Sequence, residues 1–471
     1  MASSSQPPST AAQIPDMLHT QNKQNPLAIY HGRPQNLTGP AIHVFHPVFS
    51  HFQDLLHTNV DAFTFEQDDL AVIDTYMGCM ANSYPDERSR QTDTEPVFNH
   101  FFGATAAVSS EHRSNGRKYT LNGYMPAKLL KLCSPVKRGR TAGKTFFCGK
   151  NAVGIDAVDQ GLISYRFHCE DQDLAKLLQN SHVPAFLLAE NPPNFVVYGM
   201  IYHQGHVVAQ PLTEWISVFP LAGMFETARS NKFAGDEYHI AKIARCFRSL
   251  ARCVKSLETY YEQLEALALD PHLLRPSPHF SAFSTDAENY TLSYHQQLAV
   301  DSRSLQRLLF HATATSSAGS SKDCVVKYSK TYSANAHRAM AELGFAPPLL
   351  YCARERTVGQ YFVIIMEYIM PSTTDRLEPG HYEALKKALE EFHKQGYVFG
   401  DLREPNILFP QAGGPMLVDF DWSGKSGDVR YPLSLNEAIE WPPGAKAMRP
   451  IYPEHDRWML ERLFEHSEDA K

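Results

Sequence analysis

The sequence has no long apolar run and no strong excess of one charge. Hydrophobic residues make up 43% of its 471 residues, but no stretch reaches the ~18 uncharged apolar residues that a membrane span needs. The formal net charge is −7, which gives no overall reason to expect binding to nucleic acid or membranes. We therefore expect a folded protein without a membrane segment, intracellular (cytoplasmic or nuclear), and long enough for two or three domains.

Paired cysteines are also missing. The eight cysteines stand at positions 79, 133, 148, 169, 246, 253, 324 and 352, without a CxxC pair or a zinc-ligand spacing. Cys246 and Cys253 fall inside a helical pattern of apolar residues. This usage favours reduced, buried thiols over a disulfide framework or a zinc site.

The N-terminus lacks the apolar segment of a signal peptide. It reads MASSSQPPSTAAQIPDMLHTQNKQNP and is rich in Ser, Pro and Gln. Such a composition has little apolar surface to bury. We expect a disordered tail over residues 1–38.

Proline-rich sequence separates two patterned regions. Residues 39–268 mix short strand-like runs with helical patterns and end on a stripe of apolar residues at Ile240, Ile243, Phe247, Leu250, Val254, Leu257, Tyr261 and Leu264. The stripe predicts a long helix facing a core, and a coiled-coil seam is the alternative. Residues 269–288 carry three prolines and predict a linker. A second set of strand and helix patterns fills residues 289–471.

Polar residues interrupt an apolar segment of the second region. FGDLREPNILF, residues 399–409, contains Asp401, Arg403 and Asn406, and Asp419 follows thirteen residues after Asn406 in PMLVDFDW. Burying such groups unpaired is costly, which favours a loop that holds them for chemistry, although turn-capping residues are the alternative. A turn at QAGG would bring both strand ends together. Asn406 and Asp419 could then offer oxygen ligands to one Mg²⁺.

One lysine ends an apolar strand pattern. Lys327 follows the run DCVV, and a phosphate would give its charge a partner. A surface lysine on an edge strand is the alternative.

These segments together resemble the motifs of the protein kinase-like superfamily. CVVK resembles the third-strand lysine motif, FGDLREPNIL the catalytic loop, and VDFDW the D-F-G magnesium motif, in the same order and with similar spacing. The resemblance covers roughly residues 290–471. It implies a two-lobed fold with a small β-rich lobe and a reduced helical lobe, so the predicted fold class for the whole chain is α+β.

The resemblance implies a role for each matching residue. Asp401 would accept the proton of the substrate hydroxyl, and Arg403 would lie near the transferred phosphate. Asn406 and Asp419 would hold Mg²⁺, while Lys327 would hold the phosphates of ATP. Adenine would pair with the backbone of a hinge formed by Met366, Glu367, Tyr368 and Ile369. The implied cofactors are ATP and Mg²⁺, and the implied acceptor is a serine or threonine hydroxyl of a protein substrate.

The sequence also departs from the family pattern. Phe399 stands where the family usually has histidine, and Asp421 replaces the glycine of D-F-G, as in the aminoglycoside phosphotransferase branch. No glycine-rich loop precedes Lys327, Glu342 is the only acid on the following helix pattern, and no A-P-E motif follows Asp419. Two alternatives therefore stay open: a pseudokinase or nucleotide-binding scaffold with little turnover, and a small-molecule phosphotransferase.

The layout of the chain resembles a group of fungal kinase-like proteins with an additional N-terminal domain of restriction-endonuclease type. KNAVGIDAVDQGLISYR and HRAMAELGFAPPLLYC carry this likeness. Such a nuclease site needs an acid two residues before a lysine, but Cys148 takes that place before Lys150, and a thiol is a poor magnesium ligand. The likeness implies a domain over 39–268 that has lost nuclease chemistry. A basic run at residues 128–144 keeps a nucleic-acid role open.

Overall fold

A computed structural model of the chain describes residues 14–22, 25–85, 87–103, 105–114, 117–126, 145–149, 156–170, 175–219, 230–267, 276–298, 305–372, 379–411 and 413–469. Its Cα positions divide into two compact units. The N-terminal unit comprises Met1–His279, Asp301–Gln306 and Thr357–Gly359, and the C-terminal unit comprises Phe280–Val300, Arg307–Arg356 and Gln360–Lys471.

The N-terminal unit packs a mixed sheet against helices. Its strands are β1 (Thr105–Ser114), β2 (Arg117–Pro126), β3 (Thr145–Gly149), β4 (Ala185–Asn191), β5 (Asn194–His203), β6 (His206–Pro211) and β7 (Ile216–Ser217). The main sheet has the order β3-β4-β5-β6, with β7 also paired to β5 and a separate β1-β2 hairpin. Strands β3 and β4 run parallel, whereas β4, β5 and β6 are antiparallel.

The helices of this unit are α1 (Ile14–Thr20), α2 (Val48–His57), α3 (Asp69–Ala81), α4 (Glu87–Phe102), α5 (Ala157–Cys169), α6 (Ala175–Asn180) and α7 (Asp236–Leu267). Helix α7 contains the predicted apolar stripe, and Phe247 and Leu257 on it are fully buried. The core-facing interpretation of the stripe is confirmed. Strand β4 is buried at six of its seven positions, as expected of a strand covered on both faces.

Residues 14–22 and 25–38 have a defined structure, so the predicted disordered tail is wrong for them. Helix α1 lies within this range, and Ile29 and Leu37 are buried. The Tyr30 amide donates to the Val207 carbonyl at 2.8 Å, which attaches the segment to β6. The prediction failed because the segment is rich in Ser, Pro and Gln and has few apolar residues. Those few are enough to attach it to a strand at the edge of the sheet. Residues 1–13 lie outside the described part.

The C-terminal unit contains a six-stranded antiparallel sheet. Its strands are β8 (Ala282–Ser284), β9 (Asn289–Gln297), β10 (Leu309–Ser316), β11 (Ser321–Ser329), β12 (Leu349–Glu355) and β13 (Tyr361–Glu367), in the order β12-β13-β11-β10-β9-β8. Four short strands follow: β14 (Tyr397–Val398), β15 (Ile407–Leu408), β16 (Met416–Leu417) and β17 (Gly424–Lys425). The helices are α8 (Ala334–Glu342), α9 (Pro379–Lys394) and α10 (Pro453–Asp469).

The predicted patterns explain most of this unit. In β11, Cys324, Val326 and Tyr328 are buried, which follows the period of two expected of a strand. The apolar stripe of α9 is buried as predicted, with Leu385 and Phe392 fully enclosed. The structure therefore has the predicted α+β character. No helix in the described residues is long and apolar enough to cross a membrane.

Two local predictions need correction. Strand β8 lies inside the predicted linker, 269–288, where it pairs with β9; residues 268–275 lie outside the described part. The predicted strand PMLVDFDW contains only the two residues of β16. It stops there because Asp419 has a positive φ of 73°, a backbone conformation that a strand cannot continue.

Candidate functional site

A short hairpin brings together two of the predicted site residues. Strands β15 and β16 are antiparallel, and the Val418 amide donates to the Asn406 carbonyl at 2.9 Å. Asn406 and Asp419 thus lie near each other at the open end of the hairpin, as the QAGG turn predicted. The geometry follows from the strand pairing, because residues that flank two paired strands must be close.

Asp401 lies at the centre of the candidate catalytic loop. It is 6% exposed, and Arg403 holds it through two bonds, Nε to Oδ1 at 2.5 Å and Nη2 to Oδ2 at 2.7 Å. The Asn406 amide nitrogen donates to the Asp401 carbonyl and to its Oδ2, both at 2.9 Å. Because the Asn406 amide nitrogen is used in this way, its carbonyl oxygen Oδ1 is the atom suited to a cation.

Lys327 lies on an interior strand of the six-stranded sheet. Strand β11 pairs with β10 on one side and β13 on the other, so the interpretation of Lys327 as a surface lysine on an edge strand is wrong. Its Nζ lies 2.7 Å from Asp419 Oδ1 and 2.6 Å from Asp421 Oδ1. The predicted lysine and the predicted magnesium ligand, 92 residues apart in sequence, therefore meet in one ion pair.

Asp421 is the second carboxylate on this lysine. Its other oxygen, Oδ2, accepts a hydrogen bond from Ser329 Oγ at 2.7 Å. Burial and the neighbouring negative charge of Asp419 raise the pKa of Asp421 to about 6, although Lys327 opposes the shift. For Asp419, burial acts to raise the pKa, but the charge of Lys327 outweighs it, so the pKa lies below its ordinary value. The site has two acids for one ammonium group.

Helix α8 does not supply a partner for Lys327. Glu342, the only acid in its sequence, is exposed. The helix instead presents His337, whose ring stacks on Phe420 with centroids 4.6 Å apart and whose Nε2 lies 2.8 Å from the Pro347 carbonyl. Burial lowers the pKa of His337 to about 4, so this side chain packs as a neutral ring. The carboxylates beside Lys327 come from residues 419–421.

The predicted hinge lies at the end of β13. Met366 is buried and lies within β13, and the amides of Glu367 and Tyr368 donate to the carbonyls of Pro348 and Asp323, each at 3.0 Å. Two hinge amides are thus used within the unit.

A buried carboxylate that the sequence did not single out holds the catalytic loop. Asp456, in the first turn of α10, is fully buried. It accepts hydrogen bonds from the amides of Phe399 at 2.8 Å and Gly400 at 2.7 Å, and its Oδ2 lies 2.9 Å from His393 Nε2. These contacts fix the backbone next to Asp401. The only sequence signal was an acid at the start of a helix, which is common at surfaces.

Aromatic packing also supports the candidate catalytic loop. Phe399 is fully buried, and its ring meets that of Phe420 at 5.2 Å in an edge-to-face arrangement. The sequence predicts packing at this position, and the contact fits that expectation. The guanidinium of Arg403 also lies 5.9 Å from the ring of Trp441, which limits its movement away from Asp401.

The residues present suit a magnesium ion of the kind that substrate phosphates help to bind. Within the described residues, no group of three or more His, Cys, Asp and Glu is arranged to hold a metal. Mg²⁺ often binds through only one or two protein oxygens and completes its shell with water and phosphate. Asn406 Oδ1 and a carboxylate oxygen of Asp419 meet that requirement.

Three predicted features fall wholly or partly outside the described residues. The resemblance would put a phosphate-binding loop at residues 296–304, of which 299–304 lie outside, as do Lys150 and the basic run at 128–144. Comparison with known proteins adds no assignment: no protein-family model matches the chain, and no curated protein matches it significantly.

Proposed function

We propose that residues 289–471 form a two-lobed, protein kinase-like domain that transfers a phosphoryl group from ATP to a hydroxyl group with the help of Mg²⁺. The favoured acceptor is a serine or threonine of a protein. The observation that carries the proposal is the ion pair of Lys327 with Asp419, formed beside a hairpin that also holds Asp401 and Asn406. A lysine, an oxygen-ligand pair and a further carboxylate are the groups that phosphoryl transfer requires.

Each residue has a defined task in this mechanism. Lys327 binds phosphate oxygens and offsets the charge that grows on them. Asp401 orients the acceptor hydroxyl and takes its proton as the new oxygen–phosphorus bond forms and the bond to the ADP oxygen breaks. Mg²⁺, held by Asn406 and Asp419, supplies further charge neutralisation when bound. Asp456 positions the loop through the Phe399 and Gly400 amides.

A nucleotide-binding protein with little turnover is the second candidate. The observation that favours it is the two-bond contact between Arg403 and Asp401. A carboxylate whose two oxygens both accept bonds from a guanidinium is less available to a substrate hydroxyl, because the hydroxyl must compete with a strong charge-assisted pair. Binding and turnover must therefore be tested separately.

Two measurements on the full chain test binding and turnover separately. Thermal unfolding with ATP, with and without Mg²⁺, reports binding, and a Mg²⁺-dependent rise in Tm is expected. Phosphate transfer from labelled ATP to a panel of protein hydroxyl substrates reports turnover. Asp401→Asn should lower turnover at least about 100-fold and keep the Tm shift. Glu404→Gln is the matched control, since Glu404 is an exposed acid of the same loop.

The outcomes distinguish the enzyme from the nucleotide-binding protein. A Tm shift without turnover in the wild type supports the nucleotide-binding protein and excludes the enzyme. The absence of any shift excludes both. Turnover on small hydroxyl compounds, but on no protein, would correct the acceptor class, which the Asp421 replacement of the D-F-G glycine leaves open.

A further inference from the structure

A cavity of about 440 Å³ lies within the N-terminal unit, and none of the candidate site residues discussed above lines it. It is enclosed by the end of α2, the segment from Leu212 to Phe219 and the first three turns of α7. Its volume falls in the range of small-molecule sites, roughly 300–1,000 Å³. A ligand of moderate size would fit within it.

One wall of the cavity is aromatic. Trp215 is 47% exposed and Phe219 is 50% exposed, although both are large apolar side chains. Both line the cavity. Aromatic rings left in contact with water in a concave site favour a ligand with a flat apolar part, because binding would remove their surface from water.

Another part of the lining is cationic. Tyr238, Lys242 and Arg245 follow one another at steps of four and three residues, so α7 presents them on one face. The Lys242 ammonium lies 5.7 Å from the ring of Tyr238. The face therefore combines two permanent positive charges with an aromatic ring.

Arg245 is incompletely satisfied by the described residues. Its Nη1 donates to the Thr58 carbonyl at 2.5 Å, but its Nε is buried without a hydrogen-bond partner there. Burial lowers the pKa of this guanidinium. A polar atom that is buried without a hydrogen-bond partner is costly, and an anion that reaches this guanidinium would reduce that cost.

The described lining also contains titratable groups of both kinds. His57 and His239 line the cavity, and His239 Nε2 lies 3.1 Å from the Ser217 carbonyl. Glu214 is an acid among the described lining residues.

We propose that this cavity binds a small organic anion in which a carboxylate or a phosphate is joined to an aromatic ring. The acid group lies against Lys242 and Arg245, and the ring lies against Trp215 and Phe219. Both acid groups share the chemistry that Lys and Arg recognise.

The test is calorimetric titration of the full chain with phenyl phosphate and with phenylacetate, compared with inorganic phosphate and phenol. We expect saturable binding of at least one aromatic anion, at least tenfold tighter than inorganic phosphate or phenol. The stronger of the two aromatic anions identifies the acid group.

Lys242→Gln should weaken that binding at least tenfold. Lys255→Gln is the matched control, because Lys255 lies on the same helix with its side chain 68% exposed, and it should bind as the wild type does. Trp215→Leu should weaken the binding of the aromatic anion and leave the binding of inorganic phosphate unchanged. Each variant is first shown to retain the wild-type Tm.

Three results would overturn the proposal: no saturable binding by either aromatic anion, equal binding by Lys242→Gln and the wild type, or loss of binding in Lys327→Gln. The last would assign the anion to the C-terminal site. Failure here leaves the proposed phosphoryl transfer unaffected, since its test uses ATP and residues of the other unit.

Discussion

Both units contain acidic side chains paired with cations, but the two arrangements differ in kind. In the N-terminal unit, Glu190 accepts from Tyr76 at 2.7 Å through one oxygen and pairs with Arg90 through the other. Glu190 is only 4% exposed. In the C-terminal unit, the side chains of Asp419 and Asp421 are 41% and 24% exposed, and they share one lysine.

The difference separates structural ion pairs from candidate catalytic ones. Glu190 lies on β4 and both of its oxygens are used, so the group is complete. Around Lys327, two carboxylates meet one ammonium group, and Asp419 lies in a strained position with φ of 73°. Excess negative charge at an accessible edge can take up a cation. Burial of charge alone therefore does not identify a functional site.

The largest expected effect is on turnover. Asp419→Asn removes the charged metal ligand of the proposed mechanism, and we expect phosphate transfer to fall about 10³-fold. Stability should change little, because Lys327 retains Asp421. Turnover with labelled ATP and the Tm are the measurements. Wild-type turnover in this variant would show that the charge cluster resembles the Glu190 cluster in being structural.

For the buried Glu190 cluster we expect the reverse, a loss of stability. Glu190→Gln removes the carboxylate that pairs with the buried Arg90, and breaking such a buried pair typically costs about 3–5 kcal/mol of unfolding free energy. Urea unfolding measures the loss. Arg33→Gln is the control in the same unit: Arg33 pairs with Asp156 at 2.8 Å but is 61% exposed, so its loss should cost at most about 1 kcal/mol. Equal losses would contradict the comparison.

Low pH should affect the two units unequally. Burial lowers the pKa of His43 to about 4 and of His46 to about 3, and lowers that of His182 well below 6.5. These rings stay neutral when folded but take up protons when unfolded. Stability is therefore lost as pH falls below 6.5, by up to about 1.4 kcal/mol per pH unit for each ring, until the folded pKa is reached.

Among the described residues of the C-terminal unit, His337 is the ring whose pKa burial lowers in this way. Hydrogen exchange at about pH 7 and pH 5 should therefore show a larger loss of protection in strands β4–β6 than in β10–β13. A parallel loss in both sheets would contradict this expectation.

The sequence predicted the periodic parts of the molecule well. Helix α7 was visible from its apolar stripe, and the β15–β16 hairpin from two apolar runs around a glycine turn. Both signals are local. Residues 14–38 were mispredicted because their order depends on contacts with β6, a partner far away in sequence.

The site was predictable only where a spaced motif existed. Lys327, Asp401, Asn406 and Asp419 belong to such motifs, and the structure brings them into one unit. The role of Asp456 depends on α10 meeting the catalytic loop, a tertiary contact that leaves no spacing pattern. The pairing of Asp421 with Lys327 could likewise not be predicted, because Asp421 was noticed only as a replacement of the D-F-G glycine.

The smallest expected effect concerns Ser329, which donates to Asp421 at 2.7 Å. Ser329→Ala removes one hydrogen bond, but Lys327 still holds Asp421, so we expect a loss of about 1 kcal/mol in unfolding free energy and less than tenfold in turnover. Urea unfolding and labelled-ATP turnover measure the two effects. Ser321→Ala is the control: it loses only an exposed hydrogen bond to Thr315 at the start of the same strand, so it should change stability less and leave turnover unchanged. If Ser329→Ala instead reduced turnover as much as Asp419→Asn, the orientation of Asp421, and not the charge of Asp419, would be the property that distinguishes this site from the buried Glu190 cluster.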